Sequence, residues 1–346
     1  MRKLVAATTL VVCLGLAPAA TAAAPPGFYG VVAGKFDPSP PDLQRMAAGK
    51  VGALRVNLAW ASVQTNGPGP FDWSRYDNLI GATAENGIKV LPTVYGTPGW
   101  AAARPNHPPK PAYIDEFETF LRAAVERYGP DGTFWTLNPT LPKLPITDWQ
   151  LFNEVNSPTF WLPKPKAKQY KRLLAAANRA INGVDPKARI ILAGLFTIPR
   201  IKNGVTLEDY LTDLYRLKAR KLFDAVAVHP YARTPRRALA AVEEARAVMR
   251  KFKDKKKPIW LTEVGWATAG QTTPLTVKLS TQAKYLRQTY KLAAAKRNRL
   301  KIAGVFWYTF RDLPSSIWID NTGLFTTTGA PKPAWNAFVG LTGGTP

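Results

Sequence analysis

Beyond residue 28 the chain alternates short runs of branched and aromatic residues with longer stretches whose apolar positions recur at three- and four-residue steps. The short runs cover residues 29–33, 53–58, 89–94, 148–152, 189–193, 225–228, 259–262 and 304–308. Each has the length of a buried strand and stops well short of a helix. The stretches between them predict helices. In residues 72–87, Asp72 reads as the cap, Tyr76, Leu79, Ile80 and Thr83 share one face, and Gly87 ends the helix. Further helices are predicted over 113–128, over 166–181 with Asn182-Gly183 as the stop, over 235–252 and over 276–296. In the last of these Leu279, Ala283, Leu286 and Tyr290 form an apolar stripe.

Strands alternating with helices imply an α/β chain with a parallel sheet and right-handed crossovers. Eight such strands close a (β/α)8 TIM barrel. The proline-rich stretch 129–145 reads as an extended loop before the fourth strand. No repeat and no low-complexity linker interrupts the pattern, so residues 25–346 read as one domain.

Residues 1–24 stand apart. Arg2 and Lys3 precede the apolar stretch 4–16, and an alanine-rich segment follows. That is the layout of a secretory signal, with cleavage expected after Ala22, and it implies export. Cys13 is the only cysteine and lies in that segment. An exported chain without disulfides must rely on a large core, which its length allows. With no other cysteine and only His107 and His229, zinc is not expected, nor any other metal or cofactor.

The formal net charge is +24, or +22 once Arg2 and Lys3 are removed. Such a balance suits anionic partners, among them acidic polysaccharide. The basic residues are dispersed, however, and the densest runs, 164–172 and 251–257, read as a helix start and a loop. A solvated basic surface is the simpler reading. No nucleic-acid module signature and no membrane span is present, and a monomer is expected.

Two strand-like runs end on glutamate: the fourth, at Asn153-Glu154, and the seventh, at Thr262-Glu263. In a parallel barrel the strand ends share one face, where catalytic groups collect. Two carboxyls facing each other there are the equipment for breaking a glycosidic bond. Eleven tryptophans add flat apolar faces suited to sugar rings. Trp60, Trp100, Trp161, Trp266, Trp307 and Trp318 fall at or just after strand ends, whereas Trp73, Trp135, Trp260 and Trp335 read as packing.

These residues give the chain a resemblance to clan A of the glycoside hydrolases, the retaining barrel enzymes that include cellulases, β-mannanases, β-xylosidases and β-galactosidases. The resemblance implies a fixed cast. Glu154 after Asn153 matches the acid/base, and Glu263 in Leu261-Thr262-Glu263-Val264-Gly265-Trp266 matches the nucleophile. Arg55, His229 with Tyr231, and Trp307 match substrate-site positions on strands two, six and eight, and Trp100, Trp161 and Trp266 are candidate sugar platforms. Tyr231 could donate to Glu263 and Arg55 could hold it ionised. One departure is Val155, where many relatives have proline. The implied activity is hydrolysis of β-linked poly- or oligosaccharide by double displacement. The alternative is a sugar-binding or cell-wall-associated protein on the same barrel with weak catalysis.

Overall fold

The computed structural model describes residues 24–35, 37–104, 106–197 and 201–346. Except for Ala24, the expected export signal lies outside them. All eight expected strands form: β1 (Tyr29–Val32), β2 (Ala53–Ala59), β3 (Lys89–Tyr95), β4 (Asp148–Asn153), β5 (Arg189–Phe196), β6 (Ala225–His229), β7 (Ile259–Val264) and β8 (Ile302–Tyr308). Each pairs in parallel with the next, and β8 pairs with β1 to close the barrel.

Strands β2 to β7 run past the ends that their apolar pattern suggests. The added residues include Asn153, Gly194, His229 and Glu263, which are polar or small and so break the pattern. The ladder needs only backbone groups and continues through them. The extensions matter because they carry the site.

The helices differ more. Helix Ala167–Val184 passes straight through Asn182-Gly183 and stops before Asp185-Pro186, where proline removes a donor and disfavours a preceding helical residue. Helix Leu279–Leu300 starts at Leu279, which is exposed instead of joining the stripe of Ala283, Leu286 and Tyr290; Gln282 is buried there. Helix Ser74–Glu85 has Trp73 at its N-cap, and the Asp72 carboxylate accepts from Ser74 N at 3.0 Å. Helices Pro40–Ala48, Ile114–Tyr128, Leu207–Arg216, Pro235–Lys251 and Pro333–Thr342 complete the ring, and the 129–145 loop holds a short helix, Thr133–Leu137, that buries Phe134 and Trp135.

The core has two layers. Between strands and helices lie fully buried Trp149, Trp161, Trp266, Trp307 and Trp335. Each contributes at most about 4–6 kcal/mol of transfer free energy, ample for a fold without cross-links. Inside the barrel a smaller apolar plug of Ala53, Leu91, Ile191, Ala225, Ala227 and Phe306 packs against Trp260. Gly30 makes room for it, since a Cβ there would sit 2.4 Å from the Phe306 ring. Toward the carboxyl ends the inward residues turn polar.

Candidate active site

Arg55, third residue of β2, faces into the barrel and is almost fully buried. A guanidinium in that setting must have all its directions satisfied. Its Nε donates to Gln150 Oε1 at 2.7 Å, one terminal nitrogen to Glu263 Oε1 at 2.7 Å, and the other to Asn153 Oδ1 at 2.9 Å. The second oxygen of Glu263 accepts from the Tyr231 hydroxyl at 2.9 Å. Glu154 Oε1 lies 2.8 Å from His229 Nδ1, whose ring is wholly buried. Oxygens of Glu154 and Glu263 come within 4.8 Å of one another.

Local backbone conformation makes this possible. Successive strand residues normally face opposite sides. Phe152 and Glu154 both take positive φ, 71° and 40°, a left-handed conformation costing about 1–3 kcal/mol for a non-glycine residue. The interruption lets Asn153 and Glu154, neighbours in sequence, line the same cavity. On β5, Gly194 leaves space for His229: a Cβ there would lie 1.9 Å from Nε2. Val155 is buried, and Ser157 N donates to Glu154 O at 2.8 Å, so the turn leaving β4 closes without proline.

Electrostatics separates the two carboxyls. Burial, reinforced by the charge of Glu263, pushes Glu154 well above the usual carboxylate range, with only the charge of Arg55 opposing. Burial also pushes Glu263 up, but the Arg55 charge and hydrogen bonds from Tyr231 and Arg55 pull it back. The proton shared between them therefore belongs on Glu154. Burial, then the charge of Arg55, drives His229 well below its ordinary range, so the ring is neutral. Glu154, His229 and Glu263 are close enough to ligate a cation. Arg55 already neutralises Glu263 at 2.7 Å, which opposes one.

A cavity of about 370 Å³ opens over these groups, walled by Lys35, Asn57, Tyr95, Phe160, Phe196, Tyr308 and Trp318 among others. A larger hollow of about 910 Å³ lies beside Pro25, Lys50 and Lys291 and contains none of these groups. The structure thus brings together Arg55, Asn153, Glu154, His229, Tyr231 and Glu263. It does not bring the expected tryptophans with them. Trp307 is fully buried with its Nε1 donating to Thr322 O, and Trp266 packs on it and donates to Ala232 O. Trp161 is buried and donates to Gln169, while Trp100 donates to Gln64 O and packs on Trp60, outside the cavity wall. Of the six strand-end tryptophans only Trp318 faces the cavity.

On β8 the reason is register. Phe306 and Tyr308 share the inner face, so Trp307 between them faces outward, as period-two alternation requires. Tyr308 is the ring that reaches the cavity. The same alternation would have found Thr93 and Tyr95 on β3. Gln150, a lone amide in an apolar strand, is completely buried, and by pattern alone it reads as an isolated polar residue. Thr262, beside Glu263, is also completely buried, and by pattern alone it reads as an ordinary strand residue.

The family model described as cellulase (glycosyl hydrolase family 5) matches residues 27–309. No curated protein matches the chain in sequence. Among solved structures, a family 39 glycoside hydrolase from the gut symbiont Bacteroides cellulosilyticus WH2 superposes with a TM-score of 0.68 at 20% identity, over 92% of this chain and 63% of that one. A glucosidase from Croceicoccus marinus gives 0.67 at 16% identity, over 92% and 67%. The exo-β-1,4-mannosidase Op5Man5 from Opitutaceae bacterium strain TAV5 gives 0.61 at 18% identity, over 91% and 58%. This chain therefore spans less than two thirds of the first and third of these proteins. At such identities the likeness is one of fold.

Proposed function

Because this chain belongs to glycosyl hydrolase family 5, we propose that it hydrolyses O-glycosidic bonds of a β-linked poly- or oligosaccharide with retention of configuration. Glu263, ionised, attacks the anomeric carbon as the bond to the leaving oxygen breaks, and Glu154 gives that oxygen its proton. Water then loses a proton to Glu154 and attacks the same carbon, releasing Glu263 and restoring both groups. The observation that carries this reading is the spacing of the carboxyls. An oxygen of each lies within 4.8 Å of the other, the close approach that retaining sites need, their carboxyls being roughly 5–5.5 Å apart against about 6.5–9.5 Å in inverting sites.

The cavity favours a neutral sugar in the position under attack. Its two cations are each matched: Arg55 by Glu263 at 2.7 Å and Lys35 by Asp320 at 2.8 Å. Among the described residues of the cavity no positive charge is left over for a substrate carboxylate. The names glucosidase and mannosidase among the similar structures agree with a hexose. An acidic polymer could still meet the basic exterior. Residues 1–24 support export, with 25–346 as the catalytic domain. Among the described residues no helix is long and apolar enough to cross a membrane.

The acid assignment is tested with Glu154→Ala on aryl glycosides of graded leaving ability. Activity on poor leaving groups should fall at least about a hundredfold more than on a dinitrophenyl glycoside, because only the former need a proton. Equal losses would remove Glu154 from that role.

A further inference from the structure

We propose that Gln150 and Thr262 are positioning residues that hold the single proton of His229 on Nδ1, and thereby keep the acid proton of Glu154 on the oxygen that His229 does not touch. The inference rests on the reading of Glu154 as the acid. Its geometry begins at Arg55. A guanidinium can only donate, so the Gln150 atom 2.7 Å from Arg55 Nε must be the amide oxygen. That same oxygen then accepts from the Thr93 hydroxyl at 3.1 Å. The amide nitrogen is then forced to the other side, where it donates to Thr262 Oγ1 at 3.0 Å and to Leu192 O at 3.3 Å.

Thr262 receives a hydrogen bond from Gln150 and has one hydrogen of its own to give. His229 Nε2 lies 3.0 Å from the same hydroxyl. A neutral ring has one N–H; an ionised Glu154 can only accept, which calls that N–H to Nδ1, and the described residues offer the Thr262 hydrogen no acceptor besides Nε2. The ring proton therefore sits on Nδ1, 2.8 Å from Glu154 Oε1. Oε1 is committed as an acceptor both when Glu154 is ionised and when it is protonated, so in the acid form the proton rides on Oε2. With the opposite tautomer, Nδ1 would be a bare acceptor and would draw the acid proton toward the ring and away from the leaving oxygen.

The groups facing the ring agree with this polarity. Arg55 on β2 opposes a charged imidazole, Glu154 on β4 and Glu263 on β7 (its Oε2 is 3.5 Å from Nδ1) both favour a donor at Nδ1, and Tyr231 on β6 directs its hydroxyl to Glu263. The chain of hydrogen bonds runs one way, from a guanidinium that cannot accept to an ionised carboxylate that cannot donate. Reversing one link should reverse the rest. In Gln150→Glu a carboxylate would accept from Thr262, the hydroxyl would present a lone pair to Nε2, and the ring proton would move there.

The test reads the tautomer directly. The chain has only two histidines, His107 and His229, so protein carrying ¹⁵N-histidine gives two rings, told apart with a His107→Gln variant. Wild-type His229 should be neutral with its proton on Nδ1 from about pH 5 to pH 8. Thr262→Ser should keep that state, and Thr262→Val and Gln150→Glu should lose it. A wild-type proton on Nε2, a charged ring, or an Nδ1 tautomer that survives both Thr262→Val and Gln150→Glu would overturn the proposal. In kinetics, Thr262→Val should slow an unactivated aryl glycoside about tenfold to a hundredfold and a dinitrophenyl glycoside far less. Equal slowing of both would break the link to the acid. If Glu154 is not the acid, Glu154→Ala shows it independently, while the ¹⁵N spectrum still judges the relay.

Discussion

Replacing Arg55 with methionine should move the acidic limb of activity to higher pH. Arg55 makes three hydrogen bonds, at 2.7, 2.7 and 2.9 Å, and both it and Glu263 are less than a tenth exposed. Removing one member of a buried ion pair costs about 3–5 kcal/mol, because the other charge is left uncompensated. Part of that cost is relieved by protonating Glu263, and about 1.36 kcal/mol corresponds to each pKa unit. Arg55 lowers the Glu263 pKa, so its loss raises it. Glu263 must be ionised to attack, hence activity is lost first at low pH, and the rising limb of kcat/KM should shift up by about two units. The assay is kcat/KM against pH on a dinitrophenyl glycoside, for which proton donation is not limiting, with far-UV circular dichroism confirming the fold. Arg55→Lys keeps a charge but not three directed donors, and should fall between wild type and Arg55→Met. A rising limb that stays in place in folded Arg55→Met, with kcat/KM within tenfold of wild type, would refute the electrostatic account of Glu263.

Two further outcomes follow from the geometry. Trp318→Ala removes a cavity wall and should raise KM about tenfold with little change in Tm, whereas Trp307→Ala removes a fully buried ring and should cost about 3–5 kcal/mol of stability; thermal melts and saturation kinetics on the same preparations separate them. Glu154 has its folded pKa raised, so its stabilising contribution is present below the unfolded value and lost as pH rises through the folded one. The Tm of Glu154→Gln relative to wild type should therefore climb with pH, from little difference near pH 4 to a gain above neutrality.

The barrel was legible because eight apolar runs survive in the pattern even where their ends do not. Residues 189–193 alone identified β5, yet the strand continues through Gly194 and Leu195 to Phe196. Glycine reads as a breaker, and here it is the space that His229 occupies. The paired glutamates and Arg55 were legible because a charged residue at the end of or within an apolar run stands out. The tryptophans misled. Indole is as useful in packing as in sugar contact, and one residue of register decides between them, as Trp307 and Tyr308 show. Nor could the pattern show that Phe152 and Glu154 adopt left-handed backbone, which lets Asn153 and Glu154 line one cavity. Gln150 and Thr262 gain meaning only through contacts with residues distant in the chain.

The double-displacement account is tested most directly by azide rescue of Glu263→Ala on an activated β-glycoside. Removing the side chain opens the face from which Glu263 attacks, so azide should restore turnover and yield the α-glycosyl azide, of inverted configuration. Failure of azide to restore Glu263→Ala, or formation of the inverted azide by Glu154→Ala instead, would contradict the assignment of Glu263 as nucleophile.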